Sequence, residues 1–180
     1  MTGTPRGRDH VSTREQILEI LKKAYQIEVD GLTFYSMTAN QATKPAVKEL
    51  FEKLAHDEVQ HQAFLKNVGG RYAAEGTAAF ALAEKPAVNL SGLTDHVFTA
   101  RFKEQARGAA FEMGALSVGL TLETNAIAHF TQAARTTDSA EVRDFYRFLA
   151  EWEQQHFDAL NTLYTSIRND FWNTGGFAPF

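Results

Sequence analysis

Leu54-Ala55-His56-Asp57-Glu58-Val59-Gln60-His61 and Leu149-Ala150-Glu151-Trp152-Glu153-Gln154-Gln155-His156 share one pattern, Leu-Ala followed by Glu-x-x-His. They stand at a fixed offset, since 153 − 58 and 156 − 61 both equal 95. Working outward, Glu28 recurs at the same offset as Glu123. The apolar positions follow: Leu21 pairs with Leu116, Tyr35 with Phe130, Val47 with Val142 and Leu65 with Leu160. Polar and core positions repeating in one register indicate a duplicated structural unit.

Each unit reads as a helical hairpin. Ser12-Thr13-Arg14-Glu15 has a capping-box pattern, and Ile17, Leu18, Leu21, Ala24 and Tyr25 follow at helical spacing, which predicts a first helix to about Asn40. Pro45 suits the first turn of a second helix, whose apolar residues Val47, Leu50, Phe51, Leu54 and Leu65 lead to an expected end near Gly69-Gly70. From Arg71 to Gly108 the periodicity weakens around Gly76, Pro86 and Gly92, so a long crossover is expected, with a short helix over Thr94–Arg107. A third helix is expected over Ala109–Ala134. A fourth follows from an N-cap at Asp138 or Ser139 to about Asn169. The fold class is therefore all-α: an antiparallel four-helix bundle of two duplicated hairpins joined by a long crossover. A single domain should span residues 1–180, with a flexible N-terminus at 1–11 and an aromatic tail from Phe171 to Phe180.

The polar positions then acquire geometry. Residue 43 lies midway between Glu28 and Glu58, and residue 138 midway between Glu123 and Glu153; both fall in the expected turns. Fifteen residues at ~1.5 Å each place both members of each pair ~22 Å from their turn, at one height. Within Glu58-x-x-His61 and Glu153-x-x-His156 the i, i+3 spacing puts carboxylate and imidazole on one helical face. Four glutamates meeting in a bundle core would repel one another and take up protons unless compensated, and two divalent cations offset four negative charges. Exposed helical glutamates with incidental histidines are the bland alternative, but they would not repeat in register.

Composition limits the rest. A 180-residue chain with 44% hydrophobic residues can bury a substantial core. A net charge of -4, with no basic run beyond Lys22-Lys23, argues against nucleic acid and anionic lipid as partners. Without cysteine there is no disulfide, thiolate metal site or rubredoxin-type iron centre, so any metal must use oxygen and nitrogen ligands. The N-terminus has no signal-peptide core, and the most apolar stretch, Met113–Leu122, is about half of a ~20-residue membrane span, so a cytoplasmic location without membrane contact is expected.

The six-residue set fits the description of ferritin-like di-iron and di-manganese bundles: one Glu from each of two helices and Glu-x-x-His from each of the others. From Ile17 to Asn169 the chain resembles the rubrerythrin-related family, through Glu28 with Phe34-Tyr35, Glu123 with His129-Phe130, and the tail Phe171-Trp172 to Gly176-Phe177-Ala178-Pro179-Phe180. The resemblance implies two iron ions as cofactor, with Mn or Zn also compatible with these ligands. It implies bridging Glu58 and Glu153, terminal Glu28 and Glu123, and one imidazole, His61 or His156, on each ion. It further implies reduction of hydrogen peroxide or dioxygen, a separate electron donor in place of the missing rubredoxin centre, and a homodimer. The alternative is a ferroxidase or iron-storage role. Rubrerythrins carry an additional glutamate three residues after the third-helix ligand, where this chain has Ala126, with Gly31 at the equivalent place in the first half. The set is thus nearer to a ferroxidase centre.

Several neighbours have two readings. Tyr35, two turns beyond Glu28, either hydrogen-bonds a ligand or is plain core. Asp57 either orients an imidazole or, by default, faces solvent. Gly31 and Ala126 either leave an open coordination position or pocket for oxygen or peroxide, or are close-packing positions. His56 and His129 rotate away from the ligand faces, and His10 and His96 lie outside the main helices, so none of the four is assigned a role. Trp152, Trp172 and the tail aromatics either cover the bundle end or join two chains or, by default for each, pack in the core.

Overall fold

A computed structural model describes residues 14–81, 90–93, 95–106 and 110–174. The capping box at Ser12-Thr13, the N-terminal segment with His10, Pro86 and residues 175–180 of the tail lie outside them. In chain order the elements are α1 (Arg14–Gln41), α2 (Pro45–Glu75), α3 (Ala78–Ala81), a 3-10 turn (Ser91–Leu93), α4 (His96–Ala106), α5 (Ala110–Thr136) and α6 (Ala140–Thr174). Four long helices carry the fold, and there is no strand among the described residues. None of the described helices is long and apolar enough to cross a membrane.

Local chemistry sets the helix ends. Lys44 is extended (φ -95, ψ 124) and Pro45 opens α2 with its φ already helical. The Ala46 N–H at that terminus donates to Gln105 Oε1 at 2.9 Å, so α4 caps α2. Asp95 caps α4 by accepting from the Phe98 N–H at 2.6 Å. Of the two N-cap candidates for α6, Ser139 serves: its Oγ accepts from the Val142 N–H at 3.3 Å.

Two boundaries differ from the sequence reading. α2 does not stop at Gly69-Gly70 but continues to Glu75. It closes at Gly76, whose φ of 66 lies in the left-handed region and whose N–H donates to Tyr72 O. Val68 and Tyr72 belong to the core, and their burial keeps the helix going past two glycines. Likewise Phe171–Thr174 is not tail but the last turn of α6. The short helix expected in the crossover is present as α4, with Phe98 and Phe102 buried.

The core lies in two layers. One joins Val47, Phe51 and Leu54 near the α1–α2 turn to Leu160, Leu163 and Ile167 of distal α6. The other joins Val142, Phe145 and Leu149 near the α5–α6 turn to Ile17, Leu21 and Leu65 at the open end of the first hairpin. The hairpins therefore pack antiparallel, each turn against the other's open end. A residue midway along either hairpin then meets its repeat equivalent at the middle of the bundle.

Candidate metal centre

Between the two apolar layers sits a belt of polar side chains. Glu28 comes from α1, Glu58 and His61 from α2, Glu123 from α5, and Glu153 and His156 from α6; each is at most 3% exposed. All six sequence candidates are thus brought together. Glu58, His61, Glu153 and His156 each offer an atom within 4.8 Å of the others, a grouping able to hold a metal ion.

Both imidazoles turn Nδ1 inward. His61 Nδ1 lies 3.0 Å from Glu28 Oε2, 3.2 Å from Glu58 Oε2 and 4.0 Å from Glu153 Oε1. His156 Nδ1 lies 3.4 Å from Glu58 Oε1, 3.6 Å from Glu123 Oε1 and 3.7 Å from Glu153 Oε2. Glu58 and Glu153 each present one oxygen to either ring, whereas Glu28 faces His61 and Glu123 faces His156. The rings are nearly parallel, with centroids 5.1 Å apart.

The electrostatics of the belt are those of closely packed, buried carboxylates. Burial, then Glu58, pushes the Glu28 carboxyl up to about 8, against a smaller opposing effect of His61. Burial, then Glu28, Glu123 and Glu58, holds Glu153 well above the carboxylate range. For Glu123 burial is outweighed by His156, Glu153 and Tyr35, so its pKa is lowered. For His156 burial is outweighed by Asp57, Glu123 and Glu58, so its pKa is raised. Glu28 Oε1, Glu58 Oε2, Glu153 Oε1 and His156 Nδ1 are buried without a hydrogen bond. Buried polar atoms are rarely left so, and cations between four carboxylates would satisfy them. The residues present therefore fit bound metal ions.

The surroundings resolve the open readings. Tyr35 does hydrogen-bond within the belt: its hydroxyl donates to Glu123 Oε1, and burial, with Glu123 and Glu58, keeps the phenol protonated. The default reading of Asp57 as a solvent-facing residue does not hold. Its side chain is 14% exposed, with Oδ2 3.6 Å from His156 Nε2, because α2 turns this face toward α6. Trp152 packs in the core, as its default reading has it, and there stacks on His61 at 3.9 Å and 15°. Gln62 ties α1 to α2 by donating to the Glu28 carbonyl at 3.1 Å and accepting from Tyr25 Oη at 3.2 Å. Gly31 lets Glu58 approach, since a Cβ there would lie 3.0 Å from Glu58 Oε1. With Ala126 it also lines a cleft of about 330 Å³ that reaches Glu123. His56 and His96 are exposed. His129 stays out of the belt, as expected, but lines that cleft. Trp152, Gln62 and His129 act across helix interfaces, and helical spacing within one helix cannot show what the next one brings.

Such a bundle is ferritin-like, and its buried glutamate–histidine belt suggests a di-iron carboxylate site. The sequence matches the family described as Rubrerythrin over residues 19–164, most of the chain, and the chain belongs to that family. No curated protein and no solved structure matches it.

Proposed function

We propose that the chain is a non-haem di-iron oxidoreductase that reduces hydrogen peroxide or dioxygen. The carrying observation is that both oxygens of Glu58 and of Glu153 are divided between the two imidazoles. On this reading Glu58 and Glu153, with Glu28 and His61 on one side and Glu123 and His156 on the other, would hold the ions. The bound irons would supply two electrons, one from each Fe(II). The chain's residues supply the rest. Tyr35 fixes Glu123 through its hydrogen bond, Asp57 lies where it can hold His156 by Nε2, and Trp152 braces the His61 ring. The apolar layers above and below keep bulk water from the belt. With no cysteine for a rubredoxin-type iron, electrons would come from a donor outside these residues.

A second reading, ferroxidase or iron storage, is favoured by Ala126 standing where rubrerythrins carry an additional glutamate. Anaerobic loading with Fe(II), iron analysis, and stopped-flow oxidation by peroxide and separately by dioxygen decide between them. About two irons per chain with faster oxidation by peroxide is expected. Preference for dioxygen with release of Fe(III) would favour the ferroxidase, and no iron uptake would end both. Glu58→Ala with Glu153→Ala should abolish iron binding.

A further inference from the structure

The cleft between α1 and α5 grades from a polar rim to a buried floor. Lys23, Asp30 and Asn125 stand exposed at its rim, and the floor is made by Gly31 and Ala126, both buried. It ends at Glu123, a member of the belt. The floor exists because both halves of the repeat place a minimal side chain three residues after the first glutamate; anything larger would fill the space. His129, half-buried one turn beyond Ala126, lines the same cleft, and its Nε2 is buried without a hydrogen-bond partner.

We infer that this cleft is the passage by which a small uncharged oxidant reaches the centre, and that His129 relays protons along it. The inference rests on the di-iron reading above. About 330 Å³ holds hydrogen peroxide together with several waters. The rim carries one cation, Lys23, and one anion, Asp30, whose charges offset. It thus offers no net attraction to Fe(II), and its hydrogen-bonding groups, the Asn125 amide and the His129 imidazole, suit a neutral polar molecule.

The chemistry requires a proton path. Reduction of one peroxide to two waters breaks the O–O bond and consumes two electrons, which leave two Fe(II) as two Fe(III), and two protons. Ligands held on the ions would be deprotonated, so the protons must be drawn from solvent on each turnover. A neutral imidazole can relay them, because it accepts a proton from rim water on one nitrogen and releases the proton on the other. Burial, then the nearby Lys23, lowers the pKa of His129, so it is neutral near pH 7. The charged groups lining the cleft with it are Lys23 and Asp30 from α1 and Glu123 from its own helix.

Two variants of the full chain separate passage from relay. Asn125→Trp puts a ring on the exposed rim without touching the belt. It should slow binding of nitric oxide, a neutral probe, to the Fe(II)-loaded protein by tenfold or more while iron uptake stays unchanged. An unchanged nitric oxide rate would overturn the passage. A second readout does not need iron: in the metal-free protein, dissolved oxygen should enhance NMR relaxation of the Ala126 methyl well beyond that of the core Ala24 methyl, and Asn125→Trp should remove the difference. Equal relaxation at both methyls would overturn the passage even if the chain bound no iron, which would itself sink only the di-iron reading. His129→Gln should leave nitric oxide binding intact yet slow oxidation by peroxide by about a hundredfold, the lower range for a lost proton-transfer group. Added imidazole should restore part of the rate. Normal oxidation by peroxide in His129→Gln, or a defect that imidazole does not rescue, would overturn the relay.

Discussion

The Tyr35 ring is fully buried and its hydroxyl donates to Glu123 Oε1, so the residue joins the apolar layer to the polar belt. Tyr35→Phe keeps the ring and removes the donor. Metal affinity should fall about tenfold, the low end for losing a partner of a ligand, with little change in the fold. A competition titration with Zn(II) or Co(II) measures it, and unchanged affinity would mean Glu123 needs no orientation. Gly31 gives a complementary case, because a Cβ there would press on Glu58 Oε1 at 3.0 Å and Cδ at 3.2 Å. Gly31→Ala should weaken metal binding, and because the same contact with buried Glu58 is present without metal, the metal-free melting temperature should rise by less than the ~1 kcal/mol that Ala gains over Gly in a helix would give. Wild-type metal affinity in that variant would show that the carboxylate can retreat freely. The six belt residues are legible in the sequence because duplication marks them twice; Tyr35, whose repeat equivalent Phe130 has no hydroxyl, is marked only by its place two turns beyond Glu28, which fits a ligand partner and plain core alike. Asp57 and His129 are not legible, since a helical wheel gives an angle about one axis and their surroundings belong to other helices.

α2 shows what governs an element's length. Gly69-Gly70 reads as a stop, yet Phe64, Leu65, Val68 and Tyr72 form a buried stripe that spans it, and tertiary burial outweighs the local cost of two glycines. A Cβ on either glycine would meet nothing within 4 Å. Gly69→Ala with Gly70→Ala should therefore stabilise the protein by about 1–2 kcal/mol, since each glycine in a helix costs roughly 0.5–1 kcal/mol relative to Ala. Thermal melting would show the rise, and iron content should not change; a lower melting temperature would mean that the helix needs its flexibility here. The same substitution at Gly76, with its φ of 66, should destabilise instead. The four main helices, the short crossover helix and both turns followed from periodicity, Pro45 and Ser139. Two helix ends did not, because burial rather than local residue type decides them.

At the scale of the molecule, the belt is where two hairpins meet, so its protonation bears on the stability of the whole bundle. In the metal-free protein burial and Glu58 hold Glu28 at about 8 against an ordinary 4.5. Between those values the folded chain keeps a proton that the unfolded chain has released, so raising the pH favours unfolding. Glu153 is displaced the same way by burial and its three carboxylate neighbours. His156 adds to the trend: its pKa is raised from 6.5, so its contribution is complete below that value and is lost as pH rises through the folded one. Glu123, lowered from 4.5, has the opposite sign, but its contribution is lost only as pH falls below that value, outside this window. The melting temperature of the chelator-treated protein should therefore fall by several degrees from about pH 5 to pH 8, each full proton of difference being worth ~1.4 kcal/mol per pH unit. Metal reverses the dependence. Ligation needs deprotonated carboxylates and free Nδ1 atoms, so affinity rises with pH, and bound ions tie residues of both hairpins together. The gap between loaded and metal-free melting temperatures should widen steadily across the window. Calorimetry with and without Fe(II) or Zn(II) would measure it. A metal-free melting temperature that is flat or rises with pH would show that the glutamates are not held protonated, and would remove the electrostatic argument for ions in the belt.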